Sequence, residues 1–107
     1  MEIEMDAMEI LKHVDHTQLK AVAPWEEIEK LCDEAIRYGT ASVCIPPCYV
    51  KRVKEVYGDR LTVCTVVGFP LGYSVTQAKQ AEKEQALLDG AEEIDMVINL
   101  PDVKNGF

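Results

Sequence analysis

The sequence predicts an α/β fold built from parallel strand–helix units. Three segments share one order, in which an apolar run is followed by a polar loop, an amphipathic helix and a glycine. The apolar runs are rich in β-branched residues and barely alternate, which is typical of strands buried on both faces. Strands that alternate with helices pair in parallel through right-handed crossovers. These patterns leave open whether the sheet is open or forms part of a barrel.

The first long helix is predicted to begin at Pro24, because proline suits the first helical turn. Gly39 is the expected left-handed cap at its end. One face of this helix is apolar, at Ile28, Leu31, Cys32, Ala35 and Ile36. A helix at residues 5–11 and a short strand at residues 12–16 are expected before it.

The second unit is predicted as a strand at residues 41–45, ended by two prolines, and a short helix at residues 48–57. A third strand, at residues 61–69, leads into a glycine-containing loop.

In the next unit, Ser74 and Gln77 have the spacing of a capping box and predict a helix that runs to Gly90. Its small alanines would let the helix lie close to the sheet. The last predicted strand covers residues 94–99. The predicted fold therefore has four strands, three helices that alternate with them, and one further helix at the N-terminus.

Composition is that of one globular domain covering residues 1–107. Hydrophobic residues make up 48% and charged residues 28% of the chain. No apolar run reaches the ~18 residues of a membrane-spanning helix, and the acidic N-terminus does not resemble a secretory signal. We therefore expect a cytoplasmic protein without a membrane partner. A net charge of −8 with scattered basic residues argues against nucleic acid as a partner.

The four cysteines are expected to be buried free thiols, since no secreted context favours disulfides. A zinc site formed by Cys44, Cys48, His13 and His16 is disfavoured, because two prolines lie between the cysteines and no second cysteine pair follows. We predict no metal and no cofactor.

Polar residues near the carboxyl ends of the strands are the candidates for a site. Asp95 lies within an apolar strand, where burying an unpaired charge costs several kcal/mol, so a functional role is indicated. The run Asp15-His16-Thr17 is more weakly indicated, because turn chemistry by itself explains such residues somewhat better than a functional role does. Cys44 ends another strand. The loop from Gly68 to Gly72 matches neither the P-loop nor the dinucleotide-binding pattern, so nucleotide binding is not predicted.

As a set, these residues resemble the deoxyribose-phosphate aldolase family, whose members are class I aldolases built on a TIM barrel. Four stretches carry the resemblance: VDHTQLK at 14–20, SVCIP at 42–46, TVVGFPLG at 65–72 and EIDMVIN at 93–99. Lys79, Glu82, Ala86 and Gly90 also fit the family's third helix. The resemblance covers nearly the whole chain and implies about half of a TIM (β/α)8 barrel, with four strands and an N-terminal helix.

The resemblance also implies chemistry. The family cleaves 2-deoxyribose 5-phosphate reversibly into glyceraldehyde 3-phosphate and acetaldehyde through a lysine Schiff base, without a metal. Asp95 matches the family's catalytic aspartate, which takes part in proton transfer. Asp15 and Thr17 match the first-strand motif at the substrate pocket, and Cys44 matches a cysteine that lines it. The implied partner is a small phosphorylated sugar or an aldehyde.

In the family, the Schiff-base lysine lies on a strand that comes after the four strands covered by this resemblance. The eight lysines present fall in polar contexts, whereas a nucleophilic lysine must be desolvated or lie beside another cation. We therefore expect a truncated aldolase that is inactive by itself. Two alternatives stay open: an active enzyme that uses another lysine or a complementing chain, and a non-enzymatic half-barrel module that self-associates and binds small ligands. A half-barrel would leave unpaired edges and an apolar interior, so a homo-oligomer that closes the barrel is expected.

Overall fold

The sheet has four parallel strands in sequential order. The structure is a computed structural model and describes residues 7–106. The strands are β1 (Asp15–Thr17), β2 (Ser42–Ile45), β3 (Val63–Val67) and β4 (Glu93–Met96), and they pair in the order β1-β2-β3-β4. The predicted alternation of strands and helices is confirmed. Both β1 and β4 are edge strands within this part of the chain.

Helices precede, connect and follow the strands. They are α1 (Ala7–Leu11), α2 (Trp25–Tyr38), α3 (Val50–Tyr57), α4 (Thr76–Asp89) and α5 (Leu100–Asn105), with short 3-10 helices at Pro47–Tyr49 and Gly58–Arg60. Among residues 7–106, no helix combines the length and the hydropathy that crossing a membrane requires.

The sheet has two distinct faces, because neighbouring residues of a strand point to opposite sides. Cys44 pairs with Cys64 across β2 and β3, while the adjacent Val43 pairs with Val63. The cysteine side is called the cavity face here, and the valine side is called the helix face. The cavity face carries Asp15, Thr17, Ser42, Cys44, Cys64, Val66, Glu93 and Asp95.

The main core lies between the helix face and the helices α2 and α3. Its buried residues include Ile28, Leu31, Cys32 and Ala35 of α2, Val50, Val53 and Tyr57 of α3, and Val43, Ile45 and Val63 of the sheet. Burying one large apolar side chain contributes about 1.5–3 kcal/mol. The predicted apolar face of α2 is confirmed apart from Ile36, which is 38% exposed. Gly39 ends this helix at φ 65°, and its amide donates to the Ala35 carbonyl.

The predicted capping box at the start of α4 is wrong. The N-cap residue is Val75, which places Ser74 one residue too early, and no side chain caps this helix. The expectation that alanines would bring α4 close to the sheet is also largely wrong, since Ala78 and Ala81 are exposed and Ala86 is buried. No other described element covers the outer side of α4.

The largest differences from the predicted strand boundaries are at the start of β1 and at the end of β4. The first strand begins at Asp15 rather than at residue 12, because α1 ends in a turn in which the His13 amide donates to the Ile10 carbonyl at 3.0 Å. Asn99, expected in the last strand, is the N-cap of α5, and its side chain accepts a 3.2 Å hydrogen bond from the Asp102 amide. Pro101 favours a helix start here, a signal that the sequence reading missed.

Candidate functional site

A cavity of about 250 Å³ opens at the carboxyl ends of the strands. This edge is where parallel α/β folds place their ligands. The cavity is lined by Asp15, Thr17, Leu19, Cys44, Val66, Phe69, Asp95, Met96 and Val97. All four site residues predicted from the sequence, Asp15, Thr17, Cys44 and Asp95, therefore lie together around one opening.

The first strand contributes Asp15 and Thr17. The Asp15 carboxylate accepts a 2.6 Å hydrogen bond from the hydroxyl of Ser42, which fixes it against β2. The Thr17 hydroxyl donates to the Asp15 carbonyl at 2.8 Å. This second contact is the local turn chemistry that the sequence left as an alternative for these residues. Both side chains still border the cavity.

The second and third strands bring two thiols together beneath the cavity. Cys44 is 4% exposed and Cys64 is fully buried, and they are partners in the strand register. Burial raises the pKa of both thiols, and nearby carboxylates such as Asp95 and Glu93 raise it further. At neutral pH both are protonated thiols, and Cys44 is not an activated nucleophile.

The fourth strand contributes Asp95, whose environment differs from the prediction. The apolar neighbours in the sequence indicated a buried carboxylate, yet Asp95 is exposed. The reason is that β4 is the edge strand of the described sheet, so nothing covers its outer side. One oxygen of Asp95 accepts a 3.7 Å hydrogen bond from the Cys64 thiol. Asp95 therefore meets both solvent and the buried thiol.

Sequence reasoning missed Cys64 as a site residue. It lies under the cavity between Cys44 and Asp95, and the three donor atoms are within 4.8 Å of one another. The sequence feature that could have indicated Cys64 is that Cys44 and Cys64 each lie near the middle of an apolar run. Predicting contact would also have required the register of β2 against β3.

The loop after β3 is closed by its own hydrogen bonds. The Gly72 amide donates to the Gly68 carbonyl at 2.7 Å, and the Gly68 amide donates to the Glu82 carboxylate at 2.7 Å. A carboxylate already occupies the Gly68 amide, so this amide is not available to a phosphate. Lys79 of α4 donates a 2.9 Å hydrogen bond to the carbonyl of Val97, which lines the cavity.

The disfavoured zinc set is not brought together. Among residues 7–106, the cluster of potential metal ligands is Cys44, Cys64 and Asp95, without Cys48 or either histidine. All four cysteines are free thiols, and Cys48 is exposed, contrary to the expectation that all would be buried.

Trp25 packs against the core, and the Arg52 guanidinium lies 4.2 Å from its ring centroid. Lys54 forms a 2.8 Å ion pair with Glu92. These two basic residues of α3 therefore make specific contacts.

Parallel βα units with a cavity at the carboxyl ends of their strands define an α/β protein of the class that many enzymes use. Sequence comparison gives the family. The model of the DeoC/LacD family aldolases matches residues 3–105, and the chain belongs to this family.

Individual relatives agree. The chain is 66% identical over 101 residues to a deoxyribose-phosphate aldolase of Clostridium botulinum, covering 94% of this chain and 46% of that protein. A relative of the same name from Clostridioides difficile is 55% identical over 96 residues, which are 90% of this chain and 44% of the relative. The chain thus spans about half the length of the curated relatives that it matches.

A solved structure supports the fold assignment. The deoxyribose phosphate aldolase of Aeropyrum pernix superposes with a TM-score of 0.83 at 29% identity, covering 88% of this chain and 41% of the other. The four parallel strands and their helices therefore correspond to part of a TIM barrel.

Proposed function

We propose that this chain supplies one wall of a deoxyribose-phosphate aldolase pocket. In this wall Asp95 takes part in proton transfer, and Asp15, Thr17 and Cys44 contact the substrate. The observation that carries the proposal is that these four residues, selected from three separate places in the sequence, line one cavity. The relatives that share up to 66% identity bear the name of this enzyme. The proposed ligand is 2-deoxyribose 5-phosphate or one of its aldehyde products.

Asp95 has the accessibility that a proton-transfer group needs. Its carboxylate is exposed at the cavity, where a substrate hydroxyl or a water molecule can approach it. A positioned carboxylate exchanges protons with a reacting group at hydrogen-bond distance. The hydrogen bond from Cys64 holds one of its oxygens, which leaves the other oxygen for the substrate.

We propose further that the chain by itself does not turn over this substrate, because none of the described residues that line its cavity is a lysine. A Schiff base requires an amine that reaches the substrate carbonyl and is partly deprotonated. Lys79 is the lysine tied to the cavity wall, but its ammonium group is held by the Val97 carbonyl. Lys54 is paired with Glu92.

The test is the release of acetaldehyde from 2-deoxyribose 5-phosphate by the purified chain, with the Clostridium botulinum relative as the positive control. No release above that of the Asp95→Asn variant is expected. Turnover that is lost in Lys79→Met would overturn the inactivity proposal and would identify Lys79 as the recruited amine. Turnover that survives this variant would overturn it too and would direct the search to the other lysines.

A second proposal is self-association through the side of the molecule that carries β4. Exposed apolar residues collect there, including Met96 at 47%, Ile98 at 60% and Val103 at 57%. An adjacent groove of about 440 Å³ is lined by Leu71, Tyr73, Leu100, Pro101, Lys104 and Asn105. Exposed apolar surface beside an unpaired strand edge favours association. The Aeropyrum pernix relative is described as tetrameric.

The expected apolar interior is not what the cavity face presents. It carries the carboxylates of Asp15, Glu93 and Asp95, and a second copy facing it would place like charges together. We therefore propose contact through the edge and groove at β4.

Light scattering is expected to show a dimer or a larger species, and the Ile98→Lys variant is expected to dissociate it. The matched control is Val22→Lys, at a residue 89% exposed beside α2. A monomeric native chain at micromolar concentration would contradict the proposal.

A further inference from the structure

Three potential metal ligands come from three adjacent strands beneath the cavity. They are the sulfurs of Cys44 and Cys64 and a carboxylate oxygen of Asp95, all within 4.8 Å of one another. We propose that this cluster is a binding site for a soft divalent cation of the Zn²⁺ or Cd²⁺ class, with two thiolates and one carboxylate as ligands. The proposed cation site shares Cys44 and Asp95 with the proposed substrate cavity, and its test measures ion binding rather than turnover.

The spacing of one ligand pair fits tetrahedral coordination. With Zn–S near 2.3 Å and Zn–O near 2.1 Å, two ligand atoms of a tetrahedral site are separated by about 3.6 Å for sulfur and oxygen and about 3.8 Å for two sulfurs. The sulfur of Cys64 lies 3.7 Å from the Asp95 oxygen. The Cys64 sulfur and the Asp95 oxygen can therefore bind one ion with almost no change in the distance between them.

The sheet itself sets this spacing. Cys44 and Cys64 are direct partners in the parallel register, and Cys64 pairs with Glu93, two residues before Asp95 on the same face. Both thiols are held in a buried layer, whereas Asp95 is exposed at the opening. The cavity is lined by Cys44 and Asp95, so it gives an ion a path from solvent to these two ligands, with the Cys64 sulfur buried directly behind them.

The electrostatic surroundings favour a cation. Asp15 and Glu93 lie on the same face as the three ligands, and none of the residues that line the cavity is a lysine or an arginine. Thiolate ligands select zinc-like ions over Mg²⁺ and Ca²⁺, which prefer oxygen alone. On binding, each sulfur forms a bond to the ion and releases its proton to solvent, with no change of oxidation state. The fourth position is left for water, as in an open zinc site.

The test is titration of the reduced chain with Cd²⁺, followed by the thiolate-to-metal charge-transfer absorption, and with Zn²⁺, followed by calorimetry. One ion per chain is expected. Cys44→Ser and Cys64→Ser should each lose most of the absorption, and Asp95→Asn should weaken binding at least tenfold. Cys48→Ser is the matched control, because it removes an exposed thiol outside the cluster and should leave binding unchanged.

Circular dichroism of each variant separates a lost ligand from a lost fold. Asp95→Asn alters an exposed side chain and is expected to fold, so it keeps the proposal testable if Cys64→Ser unfolds. Binding that is unaffected by Asp95→Asn and Cys44→Ser would overturn the proposal. So would binding that is lost in Cys48→Ser, or the absence of Cd²⁺ absorption in the native chain.

Discussion

The Ser42 hydroxyl donates a 2.6 Å hydrogen bond to the Asp15 carboxylate, and this contact joins β1 to β2 at the cavity face. Ser42 is 1% exposed, so its hydroxyl has little access to water as a replacement partner. The position of Asp15 at the cavity therefore depends on a residue that does not line the cavity itself.

Removal of this hydroxyl in Ser42→Ala is expected to lower the free energy of unfolding by about 1.5–3 kcal/mol, since hydrogen bonds to charged groups contribute in this range. Urea unfolding measures the loss. Ser74→Ala, at an exposed loop position, is the matched control and should stay within about 0.5 kcal/mol of the native chain. Equal stability of the two variants would show that the Ser42 contact contributes nothing.

A substitution at Gly72 should be more damaging than one at Gly39, although both have left-handed backbones at φ 72° and 65°. A Cβ at Gly72 would overlap the Ile98 carbonyl oxygen and lie 2.7 Å from a Val97 methyl carbon, whereas at Gly39 it would meet open space. Gly39→Ala should cost about 1–2 kcal/mol from the backbone alone. Gly72→Ala should cost a further 1–3 kcal/mol or so from overpacking, as measured by thermal or urea unfolding. Equal losses would mean that the loop and the end of β4 can move apart freely.

The Glu82 carboxylate is expected to protect the Gly68 amide from exchange with solvent. Glu82→Met removes the acceptor of this 2.7 Å hydrogen bond and should speed exchange at Gly68 about tenfold. Glu84→Met, two residues along the same helix and exposed, is the control. Hydrogen exchange followed by NMR gives the rate. An unchanged rate in Glu82→Met would show that other contacts keep this loop closed.

Stability should fall above pH 9 because of the buried thiols. Burial raises the pKa of Cys32 from its ordinary value of 9.0 to about 12. Below pH 9 both the folded and unfolded chains hold this proton, so the stability contribution is complete. Between pH 9 and about 12 the unfolded chain releases the proton first, and stability falls by up to about 1.4 kcal/mol per pH unit for each such thiol.

Urea unfolding at pH 8 to about 11 measures this slope. Cys32→Ala should be less stable at every pH because of the cavity it leaves, yet its stability should depend less steeply on pH. Cys48→Ala should keep the native slope, since this thiol is exposed. A native chain whose stability is constant up to pH 11 would contradict the account.

The sequence patterns were sufficient to predict parallel strand pairing, because alternating apolar runs and amphipathic helices leave it as the consistent arrangement. They did not decide between an open sheet and part of a barrel. The buried face of a helix could also be predicted, from the spacing of its apolar residues. In α2, for example, Ile28, Leu31 and Cys32 are buried. The start of α4 was predicted wrongly. A capping-box pattern predicts a helix start only if its serine takes the N-cap position, and the backbone places Val75 there.

The residues of the candidate site could be predicted from the sequence, but their exposure and their contacts with one another could not. Asp95 was found because a carboxylate interrupts an apolar strand, yet its exposure depends on β4 being an edge strand of the described sheet. Cys64 was missed because its contact with Cys44 depends on register, which a local pattern does not contain.

The most direct test of the proposed function is the intact mass of the chain after incubation with acetaldehyde and borohydride at near-stoichiometric ratio. The account predicts an unchanged mass, because no lysine lines the cavity. The Clostridium botulinum relative, treated identically, provides the positive control for trapping. A stoichiometric single adduct on one lysine of this chain would contradict the account and would mark that lysine as a Schiff-base nucleophile.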